Sequence, residues 1–449
     1  MTQVDFLNLP ENNTRLGFHY FPDTTHYGES DLQTWIPELH TLGASWLVLQ
    51  APVDRAIPEF FLHNLRMAGI EPVIHFPIDM SAPPDPSDLG MFFDAYAKWG
   101  VHYLIPFDRP NSRRSWPAST WAQEDLVERF LDRYVPLAEL ASKSGLTPVF
   151  PPLEPGGDYW DTAFLNSSLQ SLARRKKQSL LDQFVLSAYS WTHGHSLNWG
   201  AGGPERWPGA HPYFTPNGEE DQRGFRVFDW YQAICKSVTE QTCPIILLGA
   251  GCSWDPAANP SQPANPVSHA QTNFNIARLA LGETVNDPAR PEVLLEPVPH
   301  EVIACNFWLL STRADSPFLS HSWIQGEGKA MPVVGTIRQW FARVGQEPPP
   351  LQKTPVPADP HAINHYLLLP VYEWGVADWH LDAIRPFVKK YTPTIGFSLA
   401  EASHAVKVTV VGNENSFSNE DLETLRNSGC TVERISGDGT SIATQLAER

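Results

Sequence analysis

The sequence is poor in cysteine, in positive charge and in long apolar runs. Its five cysteines are odd in number and show no CxxC spacing, which favours neither a disulfide framework nor a zinc site. Its 32 Lys and Arg residues face 50 Asp and Glu residues, for a formal net charge of −18. Because that charge repels phosphate, we expect neither a nucleic acid nor a membrane as a partner. No stretch approaches the roughly 20 apolar residues of a transmembrane helix.

The N-terminal segment lacks the basic region and the apolar region of a signal peptide, so we expect a cytoplasmic protein, in agreement with the cysteine pattern. Proline and tryptophan, by contrast, are abundant, with 42 and 16 residues. A hydrophobic content of 42% and a charged content of 18% are typical of a folded chain. We therefore expect a globular protein whose loops carry many aromatic rings.

Short apolar runs alternate with helical patterns over residues 1–345. The eight predicted strands are Arg15–Phe21, Trp46–Ala51, Pro72–Ile78, the run from Val101, Thr147–Leu153, Gln183–Trp191, Pro244–Ala250 and Glu301–Leu310. A segment with helical periodicity follows each strand, and the last of these segments is Thr336–Val344. Eight such units predict a (β/α)8 TIM barrel with right-handed crossovers and its active face at the carboxyl ends of the strands.

The last hundred residues predict a linker and a second, smaller domain. Residues 346–362 are rich in proline and lack apolar periodicity, which is typical of a semi-rigid linker. Alternating strand and helix patterns over 363–449 predict a small α/β domain of the flavodoxin-like type. Its segment Val408–Leu446 resembles one unit of the bacterial cell-wall-binding repeat. Such modules come in several copies and this chain has one, so we predict a structural domain that packs on the barrel.

Two strand ends carry the framework of a catalytic motif without its carboxylates. The fourth strand ends in Asp108-Arg109-Pro110-Asn111, which resembles the Asn-Glu-Pro motif of the retaining clan of barrel glycoside hydrolases. The clan's acid/base Glu would stand at Arg109, and its nucleophile Glu, at the end of strand seven, would stand at Gly249. Retaining hydrolysis needs two carboxyl groups about 5–5.5 Å apart. Arg does not lose a proton in proteins and Gly has no side chain, so the resemblance implies a barrel without the clan's catalytic pair.

The predicted mouth of this barrel is rich in aromatic and polar side chains that suit a sugar. A pyranose has a CH-rich face and a rim of hydroxyls, and it requires aromatic faces beside hydrogen-bonding groups. The predicted substrate-binding residues are His19, Tyr20, His75, Arg109, Asn111, Trp191, His193, Trp199, Trp254, Trp308 and Trp323. The expected partner is an oligosaccharide or glycan. We expect no cofactor and no metal, although His193 and His195 lie two residues apart, with His211 further along the same loop.

Two other functions remain open at this point. An active glycosidase could use displaced carboxylates, Glu154 at the end of strand five and Asp108 on strand four, since adjacent strands lie about 5 Å apart. In a simpler interpretation, Asp108 and Arg109 form a salt bridge and Glu154 holds the following Gly-Gly turn. A scaffold that uses the aromatic loop after strand six for protein contacts is the third hypothesis. The sequence does not determine the sugar, the linkage, the stereochemical outcome or the oligomeric state.

Overall fold

A computed structural model describes residues 4, 7–81, 83–252, 266–288, 290–325, 329–343, 361, 363–370 and 378–447 of the chain. The strands are β1 Leu16–His19, β2 Trp46–Gln50, β3 Glu71–Phe76, β4 Tyr103–Pro106, β5 Thr147–Phe150, β6 Val185–Trp191, β7 Ile245–Gly251, β8 Val285–Asp287, β9 Arg290–Leu295, β10 Val302–Phe307, β11 Ile363–Leu368, β12 Thr394–Gly396, β13 Ala405–Val411 and β14 Thr431–Ile435. The helices are α1 Glu29–Thr41, α2 Glu59–Met67, α3 Pro86–Lys98, α4 Ala118–Trp121, α5 Leu126–Ser144, α6 Asp161–Arg174, α7 Gln178–Asp182, α8 Gly203–Arg206, α9 Val227–Thr239, α10 Pro266–Ala280, α11 Pro332–Arg343, α12 Asp378–Tyr391, α13 Leu399–Ala402, α14 Asn419–Asn427 and α15 Gly439–Ala447.

Eight parallel strands close into a barrel in the order β1-β10-β7-β6-β5-β4-β3-β2. Both faces of these strands are covered, which explains why they read as continuous apolar runs in the sequence. Large side chains fill the interior, among them Trp46 and Tyr103, whose ring centroids lie 5.3 Å apart. The amphipathic helices bury their apolar faces against the outside of the barrel. The barrel prediction is confirmed.

The helix ends follow the local sequence. Gly145, with φ of +93°, ends α5 in the left-handed conformation that glycine adopts without steric cost. Asp85 caps α3 by accepting a hydrogen bond from the backbone N–H of Ser87, and Pro86 occupies the first helical position. These capping interactions fix where α3 begins and where α5 ends, and therefore which residues remain in the adjoining loops.

A second parallel sheet, in the order β12-β11-β13-β14, forms the C-terminal part of the chain. Ser418 caps α14 in a capping box with Asp421, at the predicted N-cap. The separate C-terminal α/β sheet is confirmed, while the predicted linker lies outside the described residues except for residue 361. Met91 of α3 packs into the same hydrophobic cluster as Leu367 and Ile384, so the barrel and this sheet share a contact surface.

In the described part of the chain, no helix combines the length and the apolar character needed to cross a membrane. All five cysteines are described and none forms a disulfide.

Candidate functional site at the mouth of the barrel

The mouth of the barrel is the face formed by the carboxyl ends of its strands and the loops that follow them. After β4 the chain turns sharply, because Phe107 and Arg109 adopt positive φ angles of 68° and 45°. The Arg109 backbone N–H donates to the carbonyl of Pro152 at 3.0 Å, which ties the loop after β4 to the loop after β5. The turn therefore brings the Asp108-Arg109 pair beside Glu154.

Arg109 is the centre of a charged cluster that joins three strand ends. Its Nη1 donates to Oδ2 of Asp108 at 2.8 Å, and its Nε lies 2.6 Å from Oε2 of Glu154. Tyr189 of β6 donates its hydroxyl to Oδ1 of Asp108 at 2.8 Å, and its ring lies 4.0 Å below the guanidinium carbon. Burial alone would lower the pKa of Arg109, but Tyr189, Asp108 and Glu154 together raise it above its ordinary value.

This cluster constrains what its two carboxylates can do. One guanidinium contacts both of them, and an Arg side chain keeps its proton in proteins. Both carboxylates are therefore engaged as partners of Arg109. The Asp108 and Glu154 side chains remain 25% and 42% exposed, so a ligand with hydroxyl donors can reach their oxygens.

Asn111 lies beneath this charged cluster and is completely buried. Its Nδ2 donates to the carbonyls of Glu154 and Tyr159, at 2.9 Å each. Its Oδ1 accepts a hydrogen bond from the Glu154 backbone N–H at 2.8 Å. The amide therefore acts as a clamp between the two loops, and its hydrogen-bonding groups are engaged with backbone.

Gly249 of β7 is the position that the motif resemblance predicts for the clan's nucleophile, and its side-chain space is filled by neighbours. A Cβ atom at this position would lie 3.0 Å from Nε1 of Trp191 and 3.1 Å from Cδ1 of Tyr189. The backbone there has φ of +57°, a conformation that residues with a Cβ rarely adopt. Two aromatic rings thus occupy the volume that a catalytic Glu side chain would need.

His19, His75 and Trp308 lie at or next to the carboxyl ends of β1, β3 and β10. His19 is 3% exposed, and its Nε2 has no hydrogen-bond partner among the described residues. Burial, with His75 and Arg109 nearby, lowers the pKa of His19 well below its ordinary value, so the imidazole is neutral. His75 is fixed by a contact of 3.0 Å from its Nε2 to the Phe107 carbonyl.

Trp308 follows β10 directly and is half-buried, with its ring 4.8 Å from that of His19. The Trp308–Leu309 peptide bond is cis. A partly exposed indole therefore packs against a buried, neutral imidazole.

The remaining predicted binding residues are scattered. Tyr20 is buried, and its ring packs 5.7 Å from that of Phe61. Trp323 is also buried, at 4.9 Å from Phe18, and no face of its indole is open.

The loop after β6 carries two more predicted binding residues. Trp199 stacks on His195 at 3.9 Å and donates its Nε1 to Asp221 at 3.3 Å, whereas His193 is exposed. Trp254 lies outside the described residues. The structure therefore brings His19, His75, Arg109, Trp191 and Trp308 together at the mouth, with Asn111 buried beneath Glu154.

Tyr189 was not among the predicted site residues. It contacts both the Asp108-Arg109 pair and the side-chain space of Gly249. The signal for it is the alternation within β6, because Tyr189 and Trp191 are two residues apart and share one face of the strand. Within the described ranges, no three His, Cys, Asp or Glu side chains are grouped so that they could hold a metal ion.

The fold is similar to those of several glycoside hydrolases of known structure. A family 39 glycoside hydrolase from Bacteroides cellulosilyticus WH2 has a TM-score of 0.47 at 9% identity, over 74% of this chain and 64% of that chain. A monomeric beta-xylosidase from Caulobacter crescentus CB15 has a TM-score of 0.45 at 13% identity, over 75% and 69% of the two chains. Xylanase 10B from Thermotoga maritima has a TM-score of 0.44 at 9% identity, over 75% and 99%.

The chain spans less than two thirds of the length of the first of these enzymes, at 64%. No protein-family model and no curated protein matches the chain. At these identities the resemblance is one of architecture, a (β/α)8 barrel like that of glycoside hydrolases.

Proposed function

We propose that this protein binds a carbohydrate at the mouth of its barrel without the retaining chemistry of the clan that its motifs resemble. The observation that carries the proposal is a half-buried indole, Trp308, on the same face of the barrel as the partly exposed carboxylate oxygens of Asp108 and Glu154. An aromatic face together with exposed hydrogen-bond acceptors is the combination that a pyranose requires.

Charge and shape at the mouth support the same ligand. The exposed oxygens of Asp108 and Glu154 accept hydrogen bonds from hydroxyl groups, whereas they repel phosphate and carboxylate ligands. His19 is neutral, so it adds no charge to the mouth. A polyhydroxylated, uncharged ligand fits these groups better than an anionic one.

We also propose that the protein does not hydrolyse its ligand, because Arg109 and Gly249 stand at the two positions predicted for the clan's catalytic carboxylates. Arg109 does not release its proton in a protein, and its guanidinium lies between the carboxylates of Asp108 and Glu154. Retaining hydrolysis needs one nucleophilic carboxylate and one protonated carboxyl group. At Gly249 the rings of Trp191 and Tyr189 fill the space of the nucleophile.

The test is a binding and turnover screen with the full-length protein. The ligands are xylo-, manno- and laminari-oligosaccharides of one to six rings, measured by calorimetry, together with aryl glycosides for turnover. We expect saturable binding, no turnover, and a loss of affinity of at least 10-fold in Trp308→Ala. Trp340→Ala, in helix α11 on the outside of the barrel, is the matched control and should bind like the wild type.

Two outcomes would contradict the proposal. Turnover that disappears in Glu154→Gln or Asp108→Asn would show a displaced catalytic pair and an active glycosidase. Neither binding nor turnover would leave the barrel as a scaffold for protein contacts.

A further inference from the structure

An exposed aromatic turn lies in the long loop between β6 and α9. It consists of residues 211–214, His211-Pro212-Tyr213-Phe214, and is called the aromatic tip below. Tyr213 and Phe214 are 61% and 62% exposed, among the most exposed large apolar side chains of the described residues. Single exposed apolar side chains are common on protein surfaces, but two adjacent aromatic rings on one turn are a local apolar surface.

The aromatic tip is held in a fixed conformation. His211 and Phe214 exchange two backbone hydrogen bonds, at 2.9 and 3.0 Å. Tyr213 has φ of +67°, and its hydroxyl oxygen accepts a hydrogen bond from the Trp160 backbone N–H at 2.9 Å. The Tyr213 and Trp160 rings also pack, with their centroids 5.3 Å apart. The two rings are therefore exposed on a turn that is held in an unfavourable backbone conformation by hydrogen bonds.

The contacts of Trp160 place the aromatic tip beside the mouth of the barrel. Trp160 immediately precedes α6 and ends the loop that starts after β5 and contains Glu154. That loop is pinned to the mouth, because the Tyr159 backbone N–H donates to the Asn111 carbonyl at 3.0 Å. Arg223 also packs on Trp160, with its guanidinium carbon 5.2 Å from the ring centroid. The aromatic tip is therefore continuous with the side of the mouth that carries Glu154.

Trp308 and the aromatic tip lie on different walls of the mouth. Trp308 follows β10, and the aromatic tip packs on the loop after β5; β7 and β6 lie between these strands in the barrel. Three strand intervals at about 4.8 Å each amount to about 14 Å along the barrel wall. A ligand that contacts both walls must therefore be longer than one sugar ring.

We propose that Tyr213 and Phe214 form a distal sugar-binding platform, so that the ligand is an oligosaccharide that crosses the mouth from Trp308 past Glu154 to the aromatic tip. The inference rests on the proposed function and adds a minimum ligand length to it. Aromatic rings stack on the CH face of a sugar without regard to its exact hydroxyl pattern, so the platform contributes affinity and selects for length.

The experiment compares affinity with ligand length in the full-length protein. Xylo-, manno- and laminari-oligosaccharides of one to six rings are titrated into the wild type, Phe214→Ala and Tyr213→Ala. In the series that binds, we expect wild-type affinity to rise with length. In Phe214→Ala we expect the longest oligosaccharides to lose about 3- to 10-fold, the effect of one aromatic contact, while the monosaccharide is unaffected. Met67→Ala, an exposed apolar residue at the end of α2, is the matched control and should bind every length like the wild type.

Each other outcome overturns the inference in a distinguishable way. If the wild type binds one ring as tightly as six, and Trp308→Ala still abolishes binding, the proposed function stands and the distal platform is wrong. If Phe214→Ala weakens all lengths equally, the aromatic tip supports the loop and contacts no sugar. If no oligosaccharide binds, both proposals fail. In that case, sedimentation that shows an oligomer for the wild type and a monomer for Phe214→Ala would assign the two rings to a protein contact.

Discussion

At the residue scale, one position at the mouth of this barrel is defined by charge and another by space. Arg109 brings a fixed positive charge to the position that the motif resemblance predicts for an acid/base Glu. At Gly249, the rings of Trp191 and Tyr189 occupy the space that a side chain would enter. Replacing either residue by Glu alone would therefore leave the second requirement of retaining hydrolysis unmet.

The crowding at Gly249 leads to a first prediction. Gly249→Ala should lower the free energy of unfolding by about 2–4 kcal/mol, because a positive φ costs about 1–2 kcal/mol and the new methyl group overpacks against Trp191. Gly69→Ala is the matched control, since Gly69 also has a positive φ, of +74°, but a Cβ there meets no described atom within 4 Å.

Denaturant unfolding of both variants measures the difference. Gly69→Ala should lose only the backbone cost, and the excess in Gly249→Ala reports the space taken by the two aromatic rings. Equal losses would show that the rings move aside easily, and that a side chain at 249 is limited by backbone conformation alone.

The buried carboxyl of Asp161, below the loop after β5, gives a second prediction. Gly156, Gln222 and Tyr231 all donate hydrogen bonds to it, but burial dominates and raises its pKa to about 6 from an ordinary value of 3.8. A raised folded-state pKa means that the stabilisation is complete below about pH 4 and is lost as the pH rises to about 6. Roughly two pKa units correspond to about 3 kcal/mol.

Asp161→Asn should therefore flatten the pH dependence of the unfolding free energy between about pH 4 and pH 6, relative to the wild type. Asp221→Asn is a control of opposite sign. Burial would raise the pKa of Asp221, but hydrogen bonds from Arg223 and Thr215 outweigh it and lower the pKa to about 2. Its stabilisation is lost only as the pH falls from about 4 towards 2. A wild-type slope that survives in Asp161→Asn would contradict this account.

At the scale of the secondary-structure elements, the strands of the barrel can be predicted from the sequence. The eight strands are predictable because a strand buried on both faces must be apolar throughout, and each is bounded by turn residues. The capping box at Ser418 is predictable for a similarly local reason. The hairpin of β8 and β9 is not predictable, because β9 is mostly exposed and has no apolar alternation. The three-residue strand β12 is too short for any periodicity.

The candidate site is predictable only in part, for a physical reason. Residues that directly end a strand, such as His19, His75 and Trp308, reach the mouth because the barrel geometry places them there. Loop residues such as Trp323 depend on how the loop folds back. The Trp323 backbone N–H donates to the Leu309 carbonyl at 2.9 Å, and this pairing carries the indole into the core. The resemblance of Val408–Leu446 to a wall-binding unit remains a prediction.

At the scale of the whole molecule, the barrel and the C-terminal sheet meet at a buried acid. Glu59, at the start of α2, is 8% exposed and accepts hydrogen bonds from Asn364 of β11 and Thr394 of β12, at 3.2 and 3.3 Å. Burial raises the pKa of Glu59 above its ordinary value. The contact surface also carries an ion pair between Arg385 and Asp88 that is half open to solvent. Removing the buried acid should weaken the docking of the two parts far more than removing the exposed pair.

Glu59→Ala should therefore uncouple the two parts of the molecule. The variant leaves the polar groups of Asn364 and Thr394 without their acceptor inside a buried surface, at a cost of about 1–3 kcal/mol. In calorimetry we expect a single unfolding transition to separate into two, with faster amide exchange in β11 and β12 than in the barrel strands. Arg385→Ala, which breaks an exposed ion pair worth less than about 1 kcal/mol, should retain one transition. If the two variants behave alike, Met91 and its apolar neighbours hold the C-terminal sheet on the barrel, and the acid between them contributes little to that attachment.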